Sequence, residues 1–478
     1  MDLRDYRSYR GLPPLAGLCS IERAAQPGLP VEECVRRLKR YHYAFKRLHE
    51  IFVARITAEP VMELKTAFSH HGYLCSEHVA ALRERVAEMR EPPLGLDVVP
   101  DTHLELLFDE ILASGSSEEL LAGVYEVALP AVRDGLRRHV ADTNPLADAP
   151  SVRACKFADL EVEEMLAFGG KAVAALVSGD QRAVMAQWVA LLRDALAAAG
   201  GLDGTAAKPQ AAPALERRYS GKPYEYDPVP RRDERFPDPY NMAVNAEAFL
   251  YDEKMPPLPK TLMMYYKRLR ELDVPEMMAS IIHQTKGKPW AYYRSMTRQL
   301  WDEARHAMMG EVGFARLGLD WPQLVPVNFT WSLGLNTQLE PWERHAVLFF
   351  IEQGLMPKTG KRYEWEVGVA SQDPFTATVQ DYDWADEVLH AKIGRELYVS
   401  QFGNAKEAIG FGDACWTKVL INWASYRDRG LTRHRNWWPD VYRAACQRWG
   451  VEPDPAVLAF DTSYEKTRAD LKDLAVSG

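Results

Sequence analysis

Apolar residues recur at three- and four-residue spacing through most of this chain, the pattern of helices that each bury one face. It predicts helices over about 31–91, broken at Glu59–Pro60, and then over 101–113, 118–141 and 156–199. Pro92–Pro93 and the stretch to Asp101 read as a connection, as does ADTNPLADAP at 141–150. Residues 1–30 read as an irregular arm rich in Pro and Gly. From 200 to 257 the helical pattern gives way to Gly, Ala, Pro and charges, the composition of a linker, although Tyr219, Tyr224, Tyr226 and Tyr240 allow part of it to pack. Periodicity then returns over about 260–286, with an interruption expected at Pro275, and over 290–317, 341–355 and 383–402. Pro289 suits a helix start, where its missing N–H is no loss. Residues 356–382 read as one long connection, a length common in lids and binding loops. Residues 405–478 add further helices, whose Trp416, Trp423, Trp437, Trp438 and Trp449 belong in a core. The expected fold class is all-α, with helical domains at 31–199 and 258–405 and a C-terminal helical extension at 406–478.

Two of these helices carry the same short motif. Glu303-Ala-Arg-His306 lies in LWDEARHAMMGEVGF, and Glu387-Val-Leu-His390 lies in WADEVLHAKIGREL. Residues three apart on a helix project from one face, so each Glu–His pair can address the same metal ion. About one Glu-x-x-His match is expected by chance in a chain with 12 histidines, so a single motif means little. Two, both helical and separated by a third helix with its own glutamate, mean more. That glutamate, Glu352, follows Val347, Leu348, Phe349, Phe350 and Ile351. A carboxylate in such a setting costs several kcal/mol unless it is paired or bound to metal. Glu276, in VPEMMASIIH, precedes the first motif, with Glu271 as its rival. The order Glu, Glu-x-x-His, Glu, Glu-x-x-His is the ligand order of a four-helix, carboxylate-bridged dimetal site.

On Glu276, Glu303, His306, Glu352, Glu387 and His390 the chain resembles the ferritin-like superfamily of non-haem di-iron and di-manganese proteins. The resemblance covers roughly residues 258–405 and implies two metal ions per chain, with Glu276 and His306 on one, Glu352 and His390 on the other, and Glu303 and Glu387 bridging as the catalytic carboxylates. Iron with dioxygen as co-substrate is the leading expectation, and manganese or a mixed Mn/Fe pair stays open. Arg305 is placed to pair with Asp302 or Asp386 behind the ligands. His283 and His345, each seven residues from a ligand candidate, read as structural more than cavity-lining. Asp383 stands where 4-aminobenzoate N-oxygenases carry an additional metal-binding histidine; it reads instead as a helix N-cap, which sets the chain apart from that group.

The same spacing recurs in the first half. Glu126 and Glu161 are 35 residues apart, as are Glu352 and Glu387, and an offset of 226 relates both pairs and also Glu50 to Glu276. Cys75-Ser-Glu-His78 matches Glu303-Ala-Arg-His306 with a two-residue slip. These correspondences indicate two tandem ferritin-like four-helix bundles, the first degenerate. Cys75 replaces the motif glutamate and Glu164 replaces the second histidine, so the first bundle is expected to lack the dimetal site. A single-metal site from Glu50, His78, Glu126 and Glu161 is the sharper alternative.

Charge and cysteine usage narrow the partners. A net charge of −9 argues against non-specific nucleic-acid binding. Six scattered cysteines without a Cys-x-x-Cys pair suit reduced thiols in the cytoplasm. No run of 18 apolar residues predicts a membrane span. No nucleotide-binding fingerprint is present, so an oxygen-activating site would draw on an external electron donor. The leading function is oxidation of a small organic substrate by hydroxylation, desaturation, cleavage or N-oxygenation. Peroxide handling by a di-manganese centre and a non-catalytic metal-binding or structural bundle are the alternatives, and a homodimer is a fair expectation.

Overall fold

The computed structural model describes residues 2–90, 95–209, 215–421 and 423–464. The Pro92–Pro93 connection, part of the 200–257 segment and the end of the C-terminal extension fall outside these residues. All regular elements among the described residues are helices, so the fold is all-α. They form two compact units, one of Met1–Phe52 with His71–Tyr226 and one of Val53–His70 with Asp227–Gly478. The segment expected as a single linker is thus divided between the units at Tyr226.

The first unit is built from α1 (Val31–Arg55), α2 (Met62–Glu88), α3 (Leu129–Asp142), α4 (Ala149–Leu176) and α5 (Gly179–Ala198). Residues Val53–His70, where α1 ends and α2 begins, belong to the second unit. The stretch expected as one helix over 156–199 is two, because Ser178 caps a fresh start reciprocally with Gln181. A π-helical turn, Ala122–Ala128, leads into α3 and carries Glu126.

The second unit holds α6 (Pro257–Arg270), α7 (Asp273–Gln284), α8 (Trp290–Arg316), α9 (Pro341–Gly354), α10 (Lys361–Ala370), α11 (Pro374–Leu397) and α12 (Ala405–Ile421). The first break falls at Glu271–Leu272, four residues before Pro275, which sits inside the first turn of α7. Lys267, Arg268 and Arg270 in the last turn of α6 favour stopping there, since cations stabilise a helix C-terminus. α9 starts with Pro341 and a reciprocal cap between Glu340 and Glu343. α11 starts at Pro374, with the Asp373 side chain accepting from the Phe375 amide.

Two expectations fail in this region. The long connection at 356–382 contains α10 and the first turns of α11, so it is not an open loop. Asp383 is no N-cap: Asp373 takes that role ten residues earlier, and Asp383 lies fully buried in mid-helix. α6 and α8 approach closely because Gly310 and Gly313 face α6, where a Cβ would collide with the backbone of Leu269 and the ring of Tyr265. Trp437 and Trp438 are buried in the adjoining core with Tyr266 and Leu269, and Trp449 packs at its edge. No helix among the described residues is long and apolar enough to cross a membrane.

Candidate metal centre

Three helices of the second unit, α8, α9 and α11, and the α6–α7 break deliver a buried cluster of carboxylates and imidazoles. Ligand-type atoms of Glu303, Glu352, Glu387 and His390 lie within 4.8 Å of one another, and so do those of Glu271, His306 and Asp383. Glu303 faces both groups: His390 Nδ1 is 3.0 Å from its Oε1, and His306 Nδ1 is 3.4 Å from its Oε2. His390 Nδ1 also lies 3.4 Å from Glu387 Oε2 and 3.9 Å from Glu352 Oε1. In the other group, His306 Nδ1 is 3.5 Å from Glu271 Oε2 and 3.4 Å from Asp383 Oδ1.

Of the residues expected as ligands, the structure thus gathers Glu303, His306, Glu352, Glu387 and His390, and it does not bring Glu276 to them. Glu276 is fully buried elsewhere, with Lys65 Nζ 2.5 Å from its Oε1, Arg232 on the same oxygen and the Ser332 hydroxyl donating to Oε2 at 2.8 Å. These partners saturate it. Glu271 takes the place beside His306, because the helix break turns the chain between the two glutamates.

Behind the cluster, each imidazole is held by an aspartate. His306 Nε2 lies 3.2 Å from Asp386 Oδ2, and His390 Nε2 lies 3.4 Å from Asp302 Oδ2. Arg305 bonds to both aspartates, at 2.8 Å to Asp386, as its place in the motif suggested. Such partners fix the tautomer with Nε2–H outward and leave the Nδ1 lone pair facing inward. Gln299 donates to Glu352 Oε1 at 2.9 Å.

Two cations reach into the cluster that the sequence pattern did not reveal. Lys361 Nζ, from α10, is 2.7 Å from Glu387 Oε1 and 3.0 Å from Asp383 Oδ1. Arg268 pairs with Asp383 and lies 2.7 Å from Glu271 Oε1. Arg268 and Glu271 are three residues apart, a spacing readable in the sequence, whereas Lys361 lay in a stretch that lacked a helical reading.

The donor set fits metal ions. Glu271 Oε2, Glu352 Oε2, Glu387 Oε2, His306 Nδ1 and His390 Nδ1 are all buried without a hydrogen-bond partner, a rare condition for polar atoms. Five carboxylates opposed by Arg268 and Lys361 leave three negative charges to be met by cations. Without metal the cluster draws protons instead. Burial opposes charging His306 and His390, yet the surrounding carboxylates together outweigh it, Asp383, Asp386, Glu271 and Glu303 at the former and Asp302, Glu303 and Glu387 at the latter, and lift both pKa values well above the ordinary range. Burial and the neighbouring Glu387 and Glu303 carboxylates raise Glu352 well above its usual value. Glu387 goes the other way: burial opposes it, but Lys361 together with the adjacent Glu352 carboxyl and His390 imidazole holds it well below.

A cavity of about 70 Å³ abuts the cluster, lined by Glu271, Glu303, Glu352 and Glu387 on one side, by aliphatic side chains such as Val274, Leu348 and Ile351, and by the charged Glu247, Lys267, Arg270 and Asp273. That is room for roughly two water-sized molecules. His345 is not among the lining residues; it is buried against Tyr292, Trp342 and Tyr398. His283 lies half-buried in the last turn of α7.

In the first unit Glu50, His78, Glu126 and Glu161 form no comparable cluster. His78 Nε2 pairs with Glu161 Oε2 at 2.7 Å, Glu50 pairs with Arg47 at 3.2 Å, and Glu126 pairs with Arg182 at 3.1 Å. Cys75 is buried and Glu164 exposed. Comparisons with protein-family models, curated proteins and solved structures return no match.

Proposed function

We propose that the second unit is the metal-bearing copy of a tandem ferritin-like pair, and that the chain is a non-haem di-iron oxygenase or oxidase acting with dioxygen on a small organic substrate. The observation that carries this reading is the convergence of five partnerless buried ligand atoms on two adjacent positions joined by Glu303. Bound iron would supply the electrons for reducing dioxygen. Glu271, His306 and Asp383 would hold one ion, and Glu352, Glu387 and His390 the other, with Glu303 between them.

The remaining residues have definable tasks. Asp302 and Asp386 orient the imidazoles. Lys361 keeps a positive charge beside Glu387 and Asp383, which limits the negative charge of the Glu271 side. The aliphatic side chains Val274, Met277, Leu348 and Ile351 would receive the apolar part of a substrate, and Lys267 and Arg270 on the same cavity would receive an anionic group if it carries one. The first unit, with its carboxylates engaged in ion pairs, serves a structural or substrate-shaping role. Reducing equivalents come from an external donor.

Metal analysis of anaerobically purified protein, followed by its optical response to oxygen, tests the reading. Two irons per chain, with a transient visible absorption after oxygen that is lost in Glu303→Ala, support it. Two manganese ions inert to oxygen would transfer the site to peroxide chemistry, and failure to bind metal after reconstitution would overturn the reading.

A further inference from the structure

The first unit contains a second, chemically different constellation. Cys34 stands in the first turn of α1, His139 in the last turn of α3, and Asp148 directly before α4. All three are buried, and their ligand-type atoms lie within 4.8 Å of one another. Cys34 Sγ is 3.4 Å from Asp148 Oδ2, and His139 Nε2 is 3.5 Å from the same oxygen. Neither ring nitrogen of His139 has a hydrogen-bond partner, although the residue is 0% exposed. A neutral imidazole always carries one N–H donor and one acceptor, so this burial is costly as it stands.

We infer that Cys34, His139 and Asp148 form a structural metal site selective for a thiolate-binding divalent cation such as zinc. Zinc bonds of the usual lengths, arranged tetrahedrally, give ligand-to-ligand edges of about 3.5 Å for S···O and about 3.3 Å for N···O. The two measured edges are close to these. One thiolate and one carboxylate neutralise a divalent ion, which makes the buried site electrically balanced. The other carboxylate oxygen of Asp148 accepts from Arg85 at 3.0 Å, and the Thr143 hydroxyl donates to Oδ2 at 3.0 Å, so the aspartate is oriented from behind. Burial pushes the Cys34 thiol up to about 11, which keeps it protonated until a cation displaces the proton. The sulfur is sealed from solvent, which rules out a nucleophile needing substrate access and leaves a clamp on three helix ends. The inference is independent of the carboxylate cluster, which contains no sulfur.

Cobalt is the probe, since a thiolate ligand gives an intense near-ultraviolet charge-transfer band that carboxylates and imidazoles do not. Full-length apoprotein titrated with Co²⁺ should develop this band, at saturation with the intensity of one cobalt–thiolate bond per chain whatever share of the cobalt enters the carboxylate cluster, together with tetrahedral visible bands. Cys34→Ser should abolish the charge-transfer band, while Cys155→Ser and His390→Ala should retain it. If Cys34→Ser fails to fold, X-ray absorption at the zinc edge of zinc-loaded wild-type protein decides instead, with a single sulfur neighbour at about 2.3 Å expected. No charge-transfer band in the wild type, a band that survives Cys34→Ser, or a zinc environment without sulfur would overturn the inference.

Discussion

Two glutamates five residues apart have opposite roles, and their surroundings separate them. Glu276 is saturated by Lys65, Arg232 and Ser332, whereas Glu271 Oε2 faces His306 without a hydrogen bond. Glu276→Gln should therefore destabilise the fold by about 3–5 kcal/mol, the usual cost of breaking a buried ion pair, while metal content is unchanged. Glu271→Gln should lower bound iron towards one per chain with a smaller loss of stability, and metal analysis alongside denaturant melts checks both. The sequence could not separate the two, because the repeat offset marked Glu276 and periodicity does not report which glutamate is already paired. The titration of His42 and His345 is set by burial that the structure shows. Burial, assisted by Arg83 and Lys288 respectively, depresses their pKa values to about 3 and about 4. The unfolded histidines titrate near about 6.5, so below that pH the unfolded chain binds more protons and stability falls as pH falls. Each contributes a slope of up to about 1.4 kcal/mol per pH unit between about 6.5 and its folded value, and none above about 6.5. Melts from about pH 6.5 to 5 should show this fall, and His345→Gln should flatten it.

Among the elements, α8, α9 and the later turns of α11 were legible because their apolar spacing is regular, and Pro289 marks the start of α8, whereas the start of α11 at Pro374 behind Asp373 was missed. α10 was not, because its ten residues mix aromatic, basic and acidic side chains between glycines, and a short helix shows too few turns of a pattern. Missing it hid Lys361. That ammonium sits where a metal ion would also be attracted, so Lys361→Met should destabilise the metal-free protein and tighten metal binding. A larger rise in melting temperature on iron loading than in the wild type is the expected sign, and an unchanged or smaller rise would count against the placement. The α6–α8 contact is equally specific. Gly310→Ala must separate the two helices, at about 1–3 kcal/mol, and should weaken metal binding because α6 leads into Glu271 and α8 carries Glu303 and His306.

At the scale of the whole molecule, helical content was visible in the sequence, since it follows from local periodicity, whereas the placing of Val53–His70 with the second unit was not. The linker boundary was not, because Arg232 is buried against Asp273 and Glu276 through long-range ion pairing that no local pattern announces. The two units carry different donor chemistry, oxygen and nitrogen in the second and sulfur-containing in the first, so they should respond to different metals. Hydrogen exchange of the full chain should show iron protecting α8, α9 and α11, and zinc protecting the start of α1, the end of α3 and the start of α4. The most direct test of the central claim is anomalous diffraction at the iron edge from crystals of the iron-loaded protein. The account predicts two adjacent peaks sharing Glu303, one beside Glu352, Glu387 and His390 and one beside Glu271, His306 and Asp383. Iron at Glu276, or no ordered iron between Glu303 and the two histidines, would contradict it.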